Sequence, residues 1–317
     1  MARTGDVIRA GMLTLVLVAV SGLLGACGPD FSGLHLRIAA GNNGGVYYQL
    51  AQPLSSAWAA QLGIERPEVE QTRGSPDNLN RLQSGMADVA FSAADVAADT
   101  AATPRTPKLR ALARIYDDYL HVVVRADSPI KSMATMRGHK VSIGATDSGV
   151  AVIAKKLFAA SDLSAPGAVT IWNLGLDDSL RALASGDIDA VIWSGGLPTT
   201  SISLENQHTK LKLVDIADVL PKLLELNSVY RSATIPATTY QLTGGPVTTL
   251  VVPNYLIVSE TMSDDVAEAL TRGLFLAQAD LVKANPTALA IDVHPAIETA
   301  PIALHPGALR YYREIKP

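Results

Sequence analysis

The chain has 317 residues, of which 48% are hydrophobic and 18% are charged, and it carries 26 basic against 30 acidic side chains. At about 150 residues per domain this length indicates two domains, and the apolar fraction excludes a disordered chain. The net charge of −4 argues against nucleic-acid binding, which needs a basic surface. The sequence lacks the phosphate-loop, zinc-ligand and nucleophile-elbow motifs of common enzyme classes, so we expect neither a cofactor nor a bound metal.

The N-terminal segment is expected to be a secretory signal that ends in a lipidation site. Arg3 and Arg9 precede an apolar stretch from Gly11 to Leu24, which is shorter than the roughly 20 residues of a membrane span. The only cysteine, Cys27, follows directly in the sequence LGAC. This pattern resembles a bacterial lipobox, in which the cysteine is acylated; an incidental cysteine or an uncleaved anchor is the alternative. We therefore expect residues 1–26 to be the signal peptide and residues 27–33 a tether, lipid-anchored at Cys27 on the extracytoplasmic face of the bacterial cell membrane.

From residue 34 onward, short apolar or β-branched runs alternate with helical patterns, which predicts parallel strands flanked by helices. The predicted strands are, in chain order, Leu36–Ala40, Glu68–Thr72, Val89–Ser92, Leu109–Tyr116, His121–Val124, Lys140–Gly144, Val169–Asn173, Ala190–Trp193, Leu211–Asp215 and Val247–Val251. Helices are predicted between most of them. The first begins near Val46, and Pro53 within it predicts a kink or a later start.

Two parts of this body share one pattern of glycines and acidic residues. Aligned in order, the equivalent pairs are Gly41 with Gly144, Gly45 with Gly149, Gly74 with Gly175, Gly85 with Gly186, and Asp88 with Asp189. Any two strand–helix–strand units share part of such a pattern, but the nearly constant spacing over five pairs favours two structurally similar lobes.

Local signals place helix starts in the loops of this repeat. The expected N-caps are Ser75, then Asp147 or Ser148, and then Asp177 or Asp178. Pro76 suits the first helical turn, and Gly85 suits the position just after a helix.

These loops follow the carboxyl ends of predicted strands, which is where ligands bind in open parallel sheets. Helix N-termini present free N–H groups and the positive end of the helix dipole to an anion. If the two lobes face each other, four such helix starts converge on one cleft that would bind a small organic anion. For any single loop, an ordinary connection with a capping residue is the alternative explanation.

The residues expected to contact the ligand are Asn43, Gly45, Tyr47, Thr72, Gly74, Ser75, Asn78, Ser92, Asp95, Thr146, Ser148, Gly149, Ser194 and Gly195. Tyr47 is either a wall of the cleft or a core residue, and Ser75 is a helix cap, a ligand donor or both. Asp95 either accepts the ammonium group of an amino acid ligand or caps a helix. Trp193 either closes over an apolar ligand stem or packs in the core, and Arg73 either pairs with a ligand carboxylate or points to solvent.

Several motifs occur in a fixed order along the body. They are G-x-x-G-G-x-Y-Y at Gly41–Tyr48, T-x-G-S-x-x-N at Thr72–Asn78, G-x-x-D-V-x-x-S-x-x-D at Gly85–Asp95, V-S-I-G-x-x-x-S-G at Val141–Gly149, G-D-I-D-A at Gly186–Ala190, I-P-A-x-x-Y at Ile235–Tyr240 and L-H-P-G-A at Leu304–Ala308. Together they resemble the TAXI-type solute receptors of TRAP transporters over roughly residues 34–317. Val46 departs from that pattern, because the family often has Thr there.

The resemblance implies an α/β, two-lobed periplasmic-binding-protein-like fold of type II, each lobe a mixed, mostly parallel sheet with flanking helices. Residues 34–120 plus 253–317 would form lobe one, and residues 121–252 lobe two. The implied function is that of a non-enzymatic lipoprotein that binds glutamate, glutamine or another small carboxylate by lobe closure and delivers it to the membrane subunits of a TRAP-type transporter. The alternatives are a ligand sensor for a membrane histidine kinase, a receptor for an ATP-driven importer, and an extracytoplasmic enzyme.

Overall fold

The computed structural model describes residues 29–315, so the predicted signal segment and Cys27 lie outside the described residues. The chain divides into two units after Ser32, and the helices and strands described below belong to the unit that begins at Gly33. Within the described part of the chain, no helix has both the length and the apolar composition needed to cross a membrane.

The strands form one mixed sheet. They are β1 (Arg37–Ala39), β2 (Glu68–Glu70), β3 (Val89–Ala93), β4 (Leu109–Arg125), β5 (Lys140–Ser142), β6 (Thr170–Trp172), β7 (Ala190–Gly195), β8 (Leu211–Leu213), β9 (Arg231–Ile235) and β10 (Val247–Ser259). The helices are α1 (Val46–Leu62), α2 (Ser75–Gln83), α3 (Ala94–Ala101), α4 (Gly149–Ala160), α5 (Leu176–Ser185), α6 (Thr200–His208), α7 (Leu220–Leu226), α8 (Asp264–Leu276), α9 (Gln278–Ala284), α10 (Val293–Ala296) and α11 (Pro306–Glu314).

The strand order is β2-β1-β3-β10-β4-β7-β5-β6, with β8 paired to β4 and β9 paired to β10. Strands β2, β1 and β3 are parallel and are called the first triplet; β6, β5 and β7 are parallel and are called the second triplet. The long strands β10 and β4 run between the triplets and are antiparallel to both of their neighbours there. The predicted α/β class with a mixed sheet is therefore confirmed.

The two long strands differ most from the sequence prediction. Strand β4 is continuous across the stretch that separated two predicted strands, and β10 extends to Ser259 instead of ending at Val251. The stretch between the two predicted strands contains Asp117 and Asp118. Asp117 pairs with Arg114 at 2.8 Å, while Asp118 is buried on the opposite face of the strand. Strand β9 was not predicted.

The internal repeat is confirmed at the level of single hydrogen bonds. In the first triplet, Oδ2 of Asp88 accepts the backbone N–H of Arg37 at 2.8 Å. In the second triplet, Oδ2 of Asp189 accepts the backbone N–H of Lys140 at 2.8 Å. Each carboxylate thus satisfies the first N–H of the central strand of its triplet. Both members of two aligned glycine pairs have positive φ: Gly41 (+78°), Gly144 (+81°), Gly85 (+74°) and Gly186 (+84°).

One helix cap in this repeat agrees with the sequence prediction. Ser148 caps α4, and its side chain accepts the N–H of Ala151 at 3.2 Å. Helix α1 begins at Val46, as predicted, and continues through Pro53 without a later start.

Two other predicted caps are wrong. The N-cap of α2 is Gly74, with φ of 111°, because Oγ of Ser75 instead accepts the N–H of Ala93 at 3.0 Å. The N-cap of α5 is Gly175, and the predicted capping aspartates lie within its first turn. There they still favour the helix through its dipole.

The core holds the ends of the triplets in place. Leu50, Leu54 and Trp58 of α1 are buried, and the indole N–H of Trp58 donates to the carbonyl of Leu270 on α8 at 3.0 Å. Burial of a side chain of this size stabilises a fold by about 1.5–3 kcal/mol. A second buried cluster includes residues of both triplets and of β4 and β10, so the sheet and its helices share a continuous core around the site described next.

Candidate functional site

A cavity of about 240 Å³ lies where the strand ends of both triplets meet. Its wall is built from the segments that follow the strands, together with side chains from β4 and β10. The loop segments that contribute are Ala40–Asn42, Gly45–Tyr47, Thr72–Ser75, Ala145, Ser148–Val150, Gly175 and Trp193–Gly195. The expected convergence of loops from the two halves of the repeat is therefore present, and Ser75 and Ser148 border the same hollow.

Ten of the fourteen predicted site residues line this cavity: Gly45, Tyr47, Thr72, Gly74, Ser75, Asp95, Ser148, Gly149, Ser194 and Gly195. The other four do not. Asn43 and Thr146 are exposed at the surface. Asn78 is fully buried, and its amide donates to the carbonyl of Phe91 at 2.8 Å. Ser92 is also fully buried and donates to a backbone carbonyl.

The hydroxyl of Thr72 holds the loop rather than reaching into the cavity. It accepts the N–H of Gly41 at 2.9 Å and that of Gly74 at 3.2 Å, and it donates to the side-chain oxygen of Asn78. All of its hydrogen-bonding capacity is used within the protein. The expectation that this hydroxyl contacts a ligand is therefore not supported by the geometry, and the residue fixes the shape of the wall.

Tyr47 fulfils both of the roles that the sequence left open. One side of its ring stacks on Phe91 with 5.3 Å between centroids, while the residue also lines the cavity. Its hydroxyl lies 3.2 Å from Oγ of Ser75 and donates to the side-chain oxygen of Asn254. Burial raises the pKa of Tyr47 well above its usual value, so the hydroxyl stays protonated and can serve as a donor.

The starts of α2 and α4 face each other at close range. A Cβ built on Gly74 would lie 3.7 Å from the backbone nitrogen of Gly149, and a Cβ on Gly149 would lie 3.4 Å from Oγ of Ser75. The two helix starts are thus near van der Waals contact, and no ligand fits directly between them. The open part of the cavity lies beside this contact.

Asp95 is held by protein groups. It is buried and accepts hydrogen bonds from the N–H of Val96 at 2.8 Å and the hydroxyl of Tyr230 at 2.7 Å. Nζ of Lys156 is 3.5 Å away. Burial raises the pKa of Asp95, although the nearby ammonium opposes this. Since the N-cap of α3 is Ala93, the expected capping role is wrong. Asp95 lines the cavity as predicted, but its carboxyl group already has partners within the protein.

The sequence prediction missed one wall of the cavity, which is formed by β4 and β10. In the register of these strands Asp118 lies opposite Val252, and Tyr116 lies opposite Asn254. All four share one face of the sheet because side chains alternate along a strand. Asp118 is 8% exposed, and burial raises its pKa to about 7.

A pattern in the sequence could have revealed this wall. Tyr116, Asp118, Leu120 and Val122 alternate at a spacing of two, and all four are buried. An acidic residue in phase with an inward-facing row of apolar side chains indicates a buried carboxyl group rather than a loop.

Trp193 also lines the cavity, and its indole Nε1 is buried and has no hydrogen-bond partner within residues 29–315. The ring lies directly against Gly195: a Cβ on that residue would lie 2.5 Å from Nε1. The absence of a side chain at Gly195 therefore leaves space for the indole at the cavity wall.

Arg73 bridges the loops before α2 and α4 at the edge of the site. Its guanidinium lies 3.1 Å from the carboxylate of Asp147 and 3.6 Å from that of Asp77. The side chain is 60% exposed and is engaged with two carboxylates of the protein. Within residues 29–315, no cluster of three or more His, Cys, Asp or Glu side chains is arranged to hold a metal ion.

Comparison with known proteins identifies the family of this chain. Residues 38–315 match the model of the NMT1-like family, a match that spans most of the chain. The chain belongs to the NMT1-like family.

Solved structures similar to this NMT1-like protein include solute-binding proteins, one of them described as periplasmic. The aliphatic sulphonate binding protein of Escherichia coli is 15% identical with a TM-score of 0.50, covering 90% of this chain and 84% of that chain. A binding protein component of an ABC phosphonate transporter from Pseudomonas aeruginosa is 13% identical with a TM-score of 0.53, covering 81% and 79%. The alkanesulfonate-binding protein of Xanthomonas axonopodis pv. citri is 15% identical with a TM-score of 0.50, covering 92% and 86%. These matches confirm the periplasmic-binding-protein-like fold.

The resemblance to TAXI-type receptors, and with it the expectation of TRAP membrane subunits as partners, is wrong. The family that matches is the NMT1-like family, and a structural neighbour from Pseudomonas aeruginosa is named as a component of an ABC transporter. The motifs misled for a physical reason. Any two-part α/β binding fold requires glycine turns and polar residues at the helix starts that follow its strands. Motifs of this kind therefore indicate the fold and not the class of transporter.

Proposed function

We propose that this NMT1-like protein is an extracytoplasmic receptor that holds a small ligand in the cavity between the triplets and delivers it to an ATP-driven importer of the ABC type. The observation that carries the proposal is a cavity bounded by strand ends from both triplets, in a fold shared with periplasmic binding proteins. The name of the phosphonate-transporter component supports the ABC class. The proposed role is binding, without catalysis.

The proposed mechanism is closure of two lobes, residues 34–120 with 253–317 and residues 121–252, around the ligand. Wall residues come from both sides: Tyr47 and Ser75 from the first, Trp193 and Gly149 from the second. A ligand shifts the balance toward the closed form only through contacts that the closed form adds. Closure also removes water, which strengthens each polar contact inside.

A bulky residue between the two helix starts tests this site. Gly149→Phe inserts a ring where a Cβ is already 3.4 Å from Ser75, so the halves can no longer meet and ligand binding should be lost. Native mass spectrometry of the full-length protein in detergent reports any co-purified small molecule, and thermal unfolding reports its stabilising effect.

The matched control is Gly245→Phe, since Gly245 is exposed and has open space around its Cβ position. This variant should keep the ligand. Equal retention of the co-purified molecule by Gly149→Phe and Gly245→Phe would contradict the proposed site.

The energy source of uptake tests the partner. In cells that depend on this protein, uptake of the co-purified molecule should stop when ATP is depleted with arsenate and should persist when an uncoupler collapses the proton gradient. The reverse pattern would exclude an ABC importer while leaving the binding function intact.

The lipid anchor is also proposed. Cys27→Ser removes the thiol that acylation needs, so the protein should move from the membrane fraction to the soluble extracytoplasmic fraction. Fractionation followed by immunoblotting measures this. A Cys27→Ser protein that stays in the membrane would contradict the anchor.

A further inference from the structure

The cavity wall contains an unusual group of unsatisfied polar atoms. Oδ1 of Asp118, Nδ2 of Asn254 and Nε1 of Trp193 are buried and have no hydrogen-bond partner among the described residues. Asp118 and Trp193 line the cavity, and Asn254 is joined to its wall through the hydroxyl of Tyr47. A buried polar atom left unpaired costs about 1–3 kcal/mol. Their concentration at one hollow indicates that a ligand supplies the missing partners.

Carboxyl groups outnumber cationic groups in the wall of the cavity. Its Asp, Glu, Lys and Arg residues are Asp95, Asp118 and Arg73. Arg73 is neutralised at the edge by two carboxylates of the protein, and Asp95 is held by Tyr230 and Lys156. The carboxyl group of Asp118 remains without a cation.

The groups around Asp118 do not supply that cation. Tyr116 and Asp117 come from its own strand, and Asn254 comes from β10. Tyr47 of α1 and Asp95 of α3 also act on it electrostatically. The charged members of this set are both carboxylates, so they disfavour a second negative charge. Burial raises the pKa of Asp118 to about 7 and the carboxylates of Asp117 and Asp95 act in the same direction, whereas the polar side chains of Asn254 and Tyr116 oppose the rise. A cation would restore the ionised form.

We infer that the ligand places a positively charged nitrogen, a protonated amine or an amidinium, against Asp118, with a hydrogen-bond acceptor near Asn254 and Trp193. This inference deepens the proposed receptor function and rests on it. Between these polar ends the wall is apolar, with Ile153, Val252 and the ring of Tyr116. A short apolar body between the two ends would therefore fill the cavity. The expected small carboxylate fits only if it also carries an amino group.

Three matched probes separate the charged nitrogen from the carboxylate. Leucine carries both groups, 4-methyl-2-oxopentanoate carries only the carboxylate, and isopentylamine carries only the amine. Phenylalanine, phenylpyruvate and phenethylamine form a second set. Binding to the full-length protein in detergent is measured by calorimetry between pH 6 and pH 8.

We expect at least one amine-bearing probe to bind ten-fold or more tightly than the oxo acid of its set. Its affinity should rise from pH 6 to pH 8, because the charged nitrogen needs Asp118 ionised while the amine itself stays protonated. Asp118→Asn should weaken that probe at least ten-fold. Asp218→Asn removes the same charge at an exposed position away from the cavity and should have little effect.

Three results would each overturn the inference: an oxo acid that binds as tightly as its amino acid, no binding of any amine-bearing probe, or an unchanged affinity in Asp118→Asn. An affinity that falls as pH rises would also overturn it, because it would show a protonated Asp118 donating to an acceptor on the ligand. If a co-purified molecule is still lost in Gly149→Phe, the receptor function stands and only the charged nitrogen is rejected. If Gly149→Phe loses nothing, the receptor function itself falls.

Discussion

The shape of the cavity depends on a glycine behind an indole ring. A Cβ on Gly195 would lie 2.5 Å from Nε1 of Trp193, closer than Cβ atoms approach other atoms, and 3.1 Å from its Cε2, which is a tight contact. The polar end of the indole is one of the unsatisfied groups of the wall. A change at this glycine therefore acts on the ligand site through the ring.

Gly195→Ala should displace the indole and weaken ligand binding, with a change in tryptophan fluorescence. The other two tryptophans differ in environment, since Trp58 is buried and Trp172 is exposed. Emission spectra with and without the co-purified ligand measure the effect. Gly245→Ala, at an open surface position, is the control, and a spectrum unchanged in Gly195→Ala would contradict the packing described here.

The buried Asp118 predicts a specific pH dependence of stability. Its pKa rises from 3.8 to about 7 on folding, so the folded state favours the protonated form. The protonated carboxyl group of Asp118 therefore contributes its full stabilisation below about pH 4, and this contribution is lost as the pH rises through about 7. Relative to Asp118→Asn, the ligand-free protein should lose up to about 4 kcal/mol of unfolding free energy over this range.

Urea unfolding at pH 4, 5.5 and 7 measures this difference between Asp118→Asn and the unaltered protein. The same change at the exposed Asp218 is the control. A difference that stays constant across these pH values would show that Asp118 is not buried as described.

At the scale of helices and strands, the repeat is built on two equivalent carboxylates. Asp88 and Asp189 each accept the first N–H of a central strand and lie three residues after a glycine with positive φ. The pKa of Asp189 is lowered overall. Its burial acts to raise the pKa, but hydrogen bonds from Lys140 and His139 lower it by more. These contacts fix where the two central strands start.

Asp88→Ala and Asp189→Ala should each reduce the free energy of unfolding by about 1 kcal/mol, because each leaves a strand N–H without its partner. Neither should change ligand affinity, since both lie at the strand ends away from the cavity. Urea unfolding and calorimetry measure the two effects. Loss of ligand binding at unchanged stability would contradict the assigned role.

Much of this level could be predicted from the sequence, because glycines with positive φ and residues at helix starts act locally. The repeat and the loops around Gly74 and Gly149 follow from such signals. Long-range pairings could not be predicted in the same way. Ser75 does not cap α2 because its hydroxyl accepts the N–H of Ala93 on β3. Asp118 lies within a strand because β10 pairs with β4 at this position. The loops of the site were therefore predicted from the sequence, whereas the buried carboxyl group of Asp118 was not.

At the scale of the whole molecule, ion pairs hold the two sides of the cavity together. Lys156 of α4 lies 2.7 Å from Asp99 and 3.5 Å from Asp95, both of α3, and Arg73 reaches Asp147. The pairs of Lys156 with Asp99 and of Arg73 with Asp147 are partly exposed, so each contributes little and is screened by salt. In the proposed closure they would bias the balance between open and closed forms without locking it.

Lys156→Ala combined with Arg73→Ala should increase the open population in the absence of ligand. Small-angle X-ray scattering should then show a larger radius of gyration, and ligand affinity should fall because less of the protein is closed. Lys155→Ala, next to Lys156 but without an ion pair among the described residues, is the control. An unchanged radius of gyration would contradict the role of these pairs in closure.

Strand β10 comes late in the chain yet lies in the middle of the sheet, between β3 and β4. Those two successive strands are not neighbours, and their shared partner is complete only at Ser259. Pairings between such distant segments form slowly. A growing polypeptide therefore cannot complete this sheet until most of the chain has been synthesised. For a protein proposed to be exported, the delay keeps the chain unfolded, so that it can pass through a translocation pore.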